Sequence, residues 1–328
     1  MSLDADSIVD RRRMRRKLTF WRVFAVLVAI CAVIAAGAAL RAPGTGVFTG
    51  AASGSIARVT ITGLIRTDRQ RVEALERLAK SQAKAVIVHI NSPGGTTSGS
   101  EELHDSLKRL KDEKPTVVVV DGLAASGGYI AALAADHIVA GETSLVGSIG
   151  VLFQYPNFGE ALKSLGIKVE EIKSSPLKAA PNGFEPTSPE ARAAIESIVM
   201  DSYSWFRNLV KNRRQLDDET LAKAADGRVF TGRQGLGLKL VDELGDEKTA
   251  IAWLVKEKNI DPKTPVRDFR LRDRFSDLPF LHTAAVTVLE ALGLGSFAQH
   301  IEEWGAVQAI ERLNLDGLLA LWHPQAAN

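Results

Sequence analysis

Four consecutive valines, Val117 to Val120, limit the architecture of this chain more than any other feature. β-Branched residues favour extended backbone, and an unbroken apolar run has no polar face to turn toward water. Such a strand must be covered on both sides. A second apolar run, in KAVIVHINSPGG, also ends in small residues, and IARVTITG begins a further strand. Between the two runs, GSEELHDSLKRLKDEKP sets Leu103, Leu107 and Leu110 at helical spacing on one face. Strands alternating with helices predict parallel β-sheet units flanked by helices, an α/β fold. KVEEIK reads as another short strand. Ser188-Pro189 opens a long helix running to Arg214, with serine as N-cap and proline in the first turn. DDETLAKAADG and DEKTAIAWLVKEKN read as two more helices. Beyond residue 260 the chain turns loop-like, then carries two apolar amphipathic stretches, Thr283 to Leu294 and Ile301 to Trp322. The second reads as a packing or assembly surface, with a membrane-lying helix as the alternative.

The N-terminus carries a different signal. Val23 to Leu40 is an uncharged apolar run of about the length a bilayer needs, and RRRMRRK, Arg11 to Lys17, precedes it. The positive-inside rule keeps that basic end in the cytoplasm and sends the rest of the chain across. A cleaved signal peptide is the rival, since AAGAA offers small residues, but the run is longer than a typical signal core. The expected organisation is a basic cytoplasmic tail (1–22), an anchor (23–40), a flexible linker (41–55), an α/β domain (56–260) and a C-terminal helical extension (261–328). The expected location is the inner membrane, with the α/β domain outside the cytoplasm. A formal net charge of +2 over 328 residues argues against a nucleic-acid partner. Cys31 is the only cysteine, and neither CxxC nor HExxH occurs, so no metal or other cofactor is expected.

Chemistry points to Ser126, in DGLAASGGYIAALAAD. It follows the valine strand and precedes a small-residue helix, so its hydroxyl sits where free N–H groups favour negative charge. The turn NSPGG ends the preceding strand, and the C-terminal ends of parallel strands converge on one edge. Both turns could equally be tight packing. A nucleophilic serine needs a base. Among the histidines, His89 falls in a strand, His104 on a surface-like helix and His137 at the end of the alanine-rich helix. His282, His300 and His323 lie in the C-terminal part. None sits in a motif suggesting a base, and pattern alone does not choose among the lysines.

Five stretches then agree in order: INSPGG, AASGGYIAALAAD, GSIGV, IKSSPLKAAPNGFEPTSPEAR and DGRVFTGRQGLGLKLVDELG. Over Ile56 to Trp253 the chain resembles the signal peptide peptidase A family, membrane-anchored serine peptidases of family S49. The resemblance implies the Clp protease/crotonase-like fold of repeated ββα units. It implies Ser126 as nucleophile and Lys178 as general base, with Ser175 where the family usually has glycine. Lys173, the neighbour most easily confused with Lys178, has no catalytic part in the family. Gly95 and Gly127 match the oxyanion-hole turns, with Gly94 one residue away as the alternative donor. It further implies an acyl-enzyme, activity that rises with pH as the lysine loses its proton, and peptide substrates left over from signal peptides. The short members assemble as homo-oligomers whose sites are shared between subunits. Tyr129 reads as pocket lining or core, and the glycines of DGRVFTGRQGLGLKLVDELG as structural. Two rival functions share this pattern: an inactive membrane-tethered scaffold, and a crotonase-type acyl-CoA enzyme, which an export anchor disfavours.

Overall fold

A computed structural model describes residues 54–271 and 318–321, together with Trp21. The chain divides into a unit from Met1 to Ala51 and a unit from Ala52 to Asn328, and the elements below belong to the second. In chain order they are β1 (Ile56–Ile65), α1 (Arg69–Ala79), β2 (Ala85–Thr96), α2 (Thr97–Glu113), β3 (Thr116–Ala125), α3 (Gly127–Ala132), β4 (His137–Ala140), β5 (Leu145–Gly147) and β6 (Leu152–Phe153). There follow α4 (Gly159–Ser164), α5 (Pro189–Arg214), α6 (Asp218–Ala224), β7 (Val229–Thr231), α7 (Gly232–Gly237), β8 (Glu243–Leu244), α8 (Glu247–Lys258), β9 (Val266–Asp268) and β10 (Leu318–Leu321).

The strands form one sheet. Its main path runs β6-β10-β2-β3-β4-β8; β1 lies beside β2, β9 beside β1, and β5 beside β3 and β7. The pairs β1–β2, β2–β3 and β3–β4 are parallel. The valine run behaves as its composition demands. Val118 and Val120 face the larger core, with Leu103, Leu107 and Leu110 of α2. Val117 and Val119 face the smaller core, against Ala250 and Leu254 of α8. Each buried leucine of α2 contributes about 1.5–3 kcal/mol of transfer free energy. Thr96 caps α2 through Gly99 N–H at 3.1 Å. Ser188 caps α5 through Ala191 N–H at 3.1 Å, with Pro189 opening the helix.

Three expectations need correction. Residues 168–173, KVEEIK, form no strand: they meet no sheet edge, and Lys168–Glu170 and Lys173–Glu171 pair locally instead. Within the span 261–328, expected to be helical, the described residues include two strands. β9 joins β1 in parallel, and β10 joins β2 and β6 antiparallel. An open sheet edge offers a four-residue apolar segment more backbone hydrogen bonds than an isolated helical turn does. His137 begins β4, because the alanine-rich helix stops at Ala132. Among the described residues no helix is long and apolar enough to cross a membrane; Val23 to Leu40 lies outside them.

Candidate active site

Ser126 stands between β3 and α3, with φ 53° and ψ −114°, a conformation usually left to glycine. Holding a side chain there costs of the order of 1–3 kcal/mol. The surroundings impose it. Ser126 N–H donates to Gly147 C=O at 2.8 Å, and Ser126 C=O accepts from the amides of Tyr129 and Ile130. The residue is only 1% exposed. Its Oγ lies 3.5 Å from Gly150 C=O, too long for an effective hydrogen bond. The fold therefore buries a hydroxyl and holds it only weakly, an arrangement suited to a nucleophile.

NSPGG, expected as a turn that ends the strand, instead continues β2 to Thr96, because it pairs onward with β1, and it lies against the Ser126 turn. Gly128 packs so tightly on β2 that a Cβ there would sit 2.7 Å from Ser92 C=O. Ser92 Oγ donates to Gly63 C=O at 2.7 Å and accepts from Gly94 N–H at 3.1 Å. The Gly94 amide is thus engaged, and Gly95 pairs in register with Ile65 and Ala320. At Gly95 a Cβ would come within 1.7 Å of Ile65 C=O, so only glycine fits. Gly127 is the first residue of α3, where an N–H has no acceptor within the helix. The GSIG stretch, quoted from the sequence without a role, forms a third wall through Gly147 and Gly150. A Gly-rich turn directly after a strand, as at Gly147–Gly150, was the available signal.

The two lysines of IKSSPLK differ sharply. Lys173 Nζ lies 2.5 Å from Glu171 and 2.7 Å from Glu185. The Glu171 contact first, then Glu185, raises its pKa, so it stays an ammonium and cannot accept a proton. Lys178 is exposed, and no ion pair involves it among the described residues. Within one chain no described contact joins Lys178 to Ser126. The segment around Lys178 packs on little else: α4 buries no residue, Leu165 is 72% exposed and Ile172 fully so.

No histidine contacts Ser126 among the described residues. His89 lies between Asp121 and Glu247, each at 2.7 Å, and Glu247 belongs to α8. His104 is buried rather than surface-lying. Its Nε2 has no partner, and burial lowers its pKa despite the Asp105 contact. His137 stacks on Trp253 at 4.7 Å. His282, His300 and His323 lie outside the described residues. Tyr129 is core: fully buried, it donates from its hydroxyl to Leu240 C=O at 2.7 Å, and burial raises its pKa. Gly232 and Gly235 are packing glycines. A Cβ on Gly232 would meet Gly141 C=O at 2.1 Å, and one on Gly235 would meet Val146 at 2.8 Å. Among the described residues no cluster of His, Cys, Asp and Glu could hold a metal ion.

A buried, weakly held serine on a strand-to-helix turn is the arrangement a serine hydrolase uses. The Clp protease family model matches residues 59–144, which gives the α/β fold its Clp-like type. The peptidase family S49 model matches residues 108–261. A candidate protease of Synechocystis sp., slr0021, is 35% identical over 63% of this chain and 76% of its own. A candidate signal peptide peptidase SppA of Enterococcus faecium is 31% identical over 66% and 67%. The chloroplastic serine protease SPPA of Arabidopsis thaliana is 30% identical over 70% of this chain and 35% of its own. ClpP1 from Listeria monocytogenes aligns with a TM-score of 0.37 and 18% identity over 58% of this chain and 91% of that one. The chain belongs to peptidase family S49 and is a serine peptidase.

Proposed function

We propose that this peptidase is a membrane-anchored endopeptidase that uses Ser126 as nucleophile and Lys178 as general base. The observation that carries the reading is the Ser126 hydroxyl, buried on a strained turn and held only by a long 3.5 Å contact to Gly150 C=O. Lys178 Nζ takes the Ser126 proton as Oγ attacks a peptide carbonyl. The amides of Gly95 and Gly127 hold the oxyanion, where preorganised donors stabilise developing charge. Lys178 then protonates the departing amine, and water, activated by the same lysine, hydrolyses the acyl-enzyme. Lys173 is excluded as the base by its two carboxylates.

Lys178 reaches a serine in a homo-oligomer, from a neighbouring copy. Two features support this. Lys178 and Ser126 share no contact within a chain, and the lysine's segment exposes Leu165, Ile167, Val169, Ile172, Leu177 and Phe184. Exposed apolar surface of this extent calls for a partner. The anchor is Val23 to Leu40, with the catalytic unit outside the cytoplasm. That placement suits signal-peptide remnants as substrates, in keeping with the name of the Enterococcus relative.

Mixing two inactive variants tests the reading. Ser126→Ala and Lys178→Gln are each expected to lose hydrolysis of an apolar fluorogenic peptide. Co-assembled from equal amounts, they are expected to recover roughly a quarter of wild-type activity, since one site in four pairs an intact serine with an intact lysine. No recovery, with assembly intact, would place both residues in one subunit. Full activity of Lys178→Gln would remove the lysine from the mechanism.

A further inference from the structure

Lys178 lies in a stretch with little to hold it. Among the described residues, the hydrogen bonds of 174–181 are two local ones: Lys178 N–H to Ser175 C=O at 3.1 Å and Ala180 N–H to Leu177 C=O at 3.3 Å. Neither ties the stretch to the sheet or to a long helix. A general base must come within hydrogen-bond reach of the proton it takes. The place of Lys178 is therefore set by whatever holds the two ends of its stretch.

Those ends are fastened at one point. Lys173, at the start, pairs with Glu171 at 2.5 Å and with Glu185 at 2.7 Å. Asn182, at the finish, bonds in two directions. Its Oδ1 accepts from the amides of Phe184 and Glu185, at 2.9 and 3.2 Å. Its Nδ2 donates to Glu171 at 3.1 Å and to Glu185 at 3.0 Å. The two backbone amides fix the plane of the side-chain amide, so its N–H groups are already aimed at the carboxylates. The ammonium of Lys173 reaches the same carboxylates on a flexible stem and fixes no direction.

The far side of Asn182 is rooted in the core. Gly183 C=O accepts from Phe158 N–H at 2.7 Å, and Glu185 C=O accepts from Asn157 Nδ2 at 2.9 Å. The Tyr155 hydroxyl bonds to Thr187. Ser188 then caps α5, whose Phe206 and Val210 are buried in the larger core. Asn182 thus joins a rooted segment to the loop that carries Lys178.

We infer, on the proposed Lys178 chemistry, that Asn182 is a positioning residue of the peptidase: it holds the 174–181 loop in the form that delivers the Lys178 amine to Ser126. Misplacing a reacting group by about 1 Å costs up to about a hundredfold in rate, so loss of the Asn182 donor should lower kcat about ten- to a hundredfold. KM should stay within about twofold, since peptide binding is not what Asn182 supplies. Lys173→Gln is spared such a loss, because its amide still donates between the same carboxylates and Asn182 stays in place.

The test exchanges donor and acceptor. Asn182→Asp keeps an acceptor for the Phe184 and Glu185 amides, removes the donor and sets a third carboxylate beside Glu171 and Glu185. Adding Glu171→Gln restores one donor facing one carboxylate, and the original net charge. Full-length wild type, Asn182→Asp, the double variant and Lys178→Gln are compared in detergent. Each is assayed for kcat and KM on a fluorogenic apolar peptide, for the rate of Ser126 labelling by a small fluorophosphonate, and for assembly size. Asn182→Asp is expected to lower kcat and the labelling rate about ten- to a hundredfold, with KM and assembly unchanged, and the double variant to recover both to within a few-fold of wild type. Normal kcat in Asn182→Asp, with Lys178→Gln inactive, would overturn the role of Asn182 and leave the lysine chemistry standing. Equal losses in Asn182→Asp and the double variant, or loss of assembly in both, would also overturn it, making Asn182 a structural residue. Full activity of Lys178→Gln would remove the lysine reading and this inference with it.

Discussion

Removing the Ser126 side chain should make the protein more stable, in two steps that the geometry separates. Ser126→Ala keeps Cβ, and so keeps the φ 53° strain, but deletes a buried hydroxyl whose nearest acceptor is 3.5 Å away. Burying such a group without a hydrogen bond costs about 1–3 kcal/mol, so its removal should stabilise by about 1 kcal/mol. Ser126→Gly also releases the backbone strain, of the order of 1–3 kcal/mol, against about 1 kcal/mol of extra chain entropy lost on folding. A further gain of about 1 kcal/mol should remain. With about 2–4 °C per kcal/mol for a domain of this size, Tm should rise by about 2–4 °C for alanine and about 4–8 °C for glycine. The assay is thermal unfolding of wild type and both variants at one protein and detergent concentration, with peptidase activity lost in both. A fall in Tm for both would mean that the hydroxyl is well bonded in the folded state. A glycine variant less stable than the alanine variant would mean that the turn is not strained.

Other perturbations separate the remaining elements. Lys173→Gln should leave kcat within a few-fold of wild type, while Lys178→Gln should lower it by about 10³ or more, since loss of a base that activates a nucleophile is costly; steady-state kinetics on one peptide reads both. Gly95→Ala should destabilise by about 3 kcal/mol or more, because its Cβ would lie 1.7 Å from Ile65 C=O, and urea unfolding measures the loss. Burial holds the His104 pKa below its ordinary value, against Asp105 and with Arg213 and Lys108 nearby. The unfolded chain therefore binds the extra proton first, and stability should fall as pH drops below about 6.5. Urea midpoints between pH 7.5 and 5 should show that slope in wild type, and His104→Leu should flatten it.

How far the sequence reveals this depends on whether a pattern has one physical solution. The Val117–Val120 run has one: both faces must be buried, and the two cores on either side of β3 bury them. Ser188-Pro189 likewise marks a helix start because capping is local. KVEEIK reads as a short strand but needs an edge to pair with, and nothing local says that none is near. The same dependence on an edge makes Leu318–Leu321 a strand inside a span that reads as helical. His104 looks exposed from its polar neighbours, yet α2 is packed on more than one side and buries His104 with Leu103 and Leu107. At the site, S-G-G signals a tight turn but not the backbone strain at Ser126. Spacing alone does not separate Lys173 from Lys178; the carboxylates of Glu171 and Glu185 do, and Glu185 is twelve residues from Lys173.

Activation of Ser126 by Lys178 is read out by covalent labelling. Full-length wild type, Ser126→Ala and Lys178→Ala are treated with a fluorophosphonate, whose phosphorus bonds to an activated serine Oγ as fluoride leaves, and the modified peptide is identified by mass spectrometry. One modification is expected, at Ser126 in wild type, and none in either variant. Modification of another serine, or labelling of Ser126 that persists at the wild-type rate in Lys178→Ala, would contradict it.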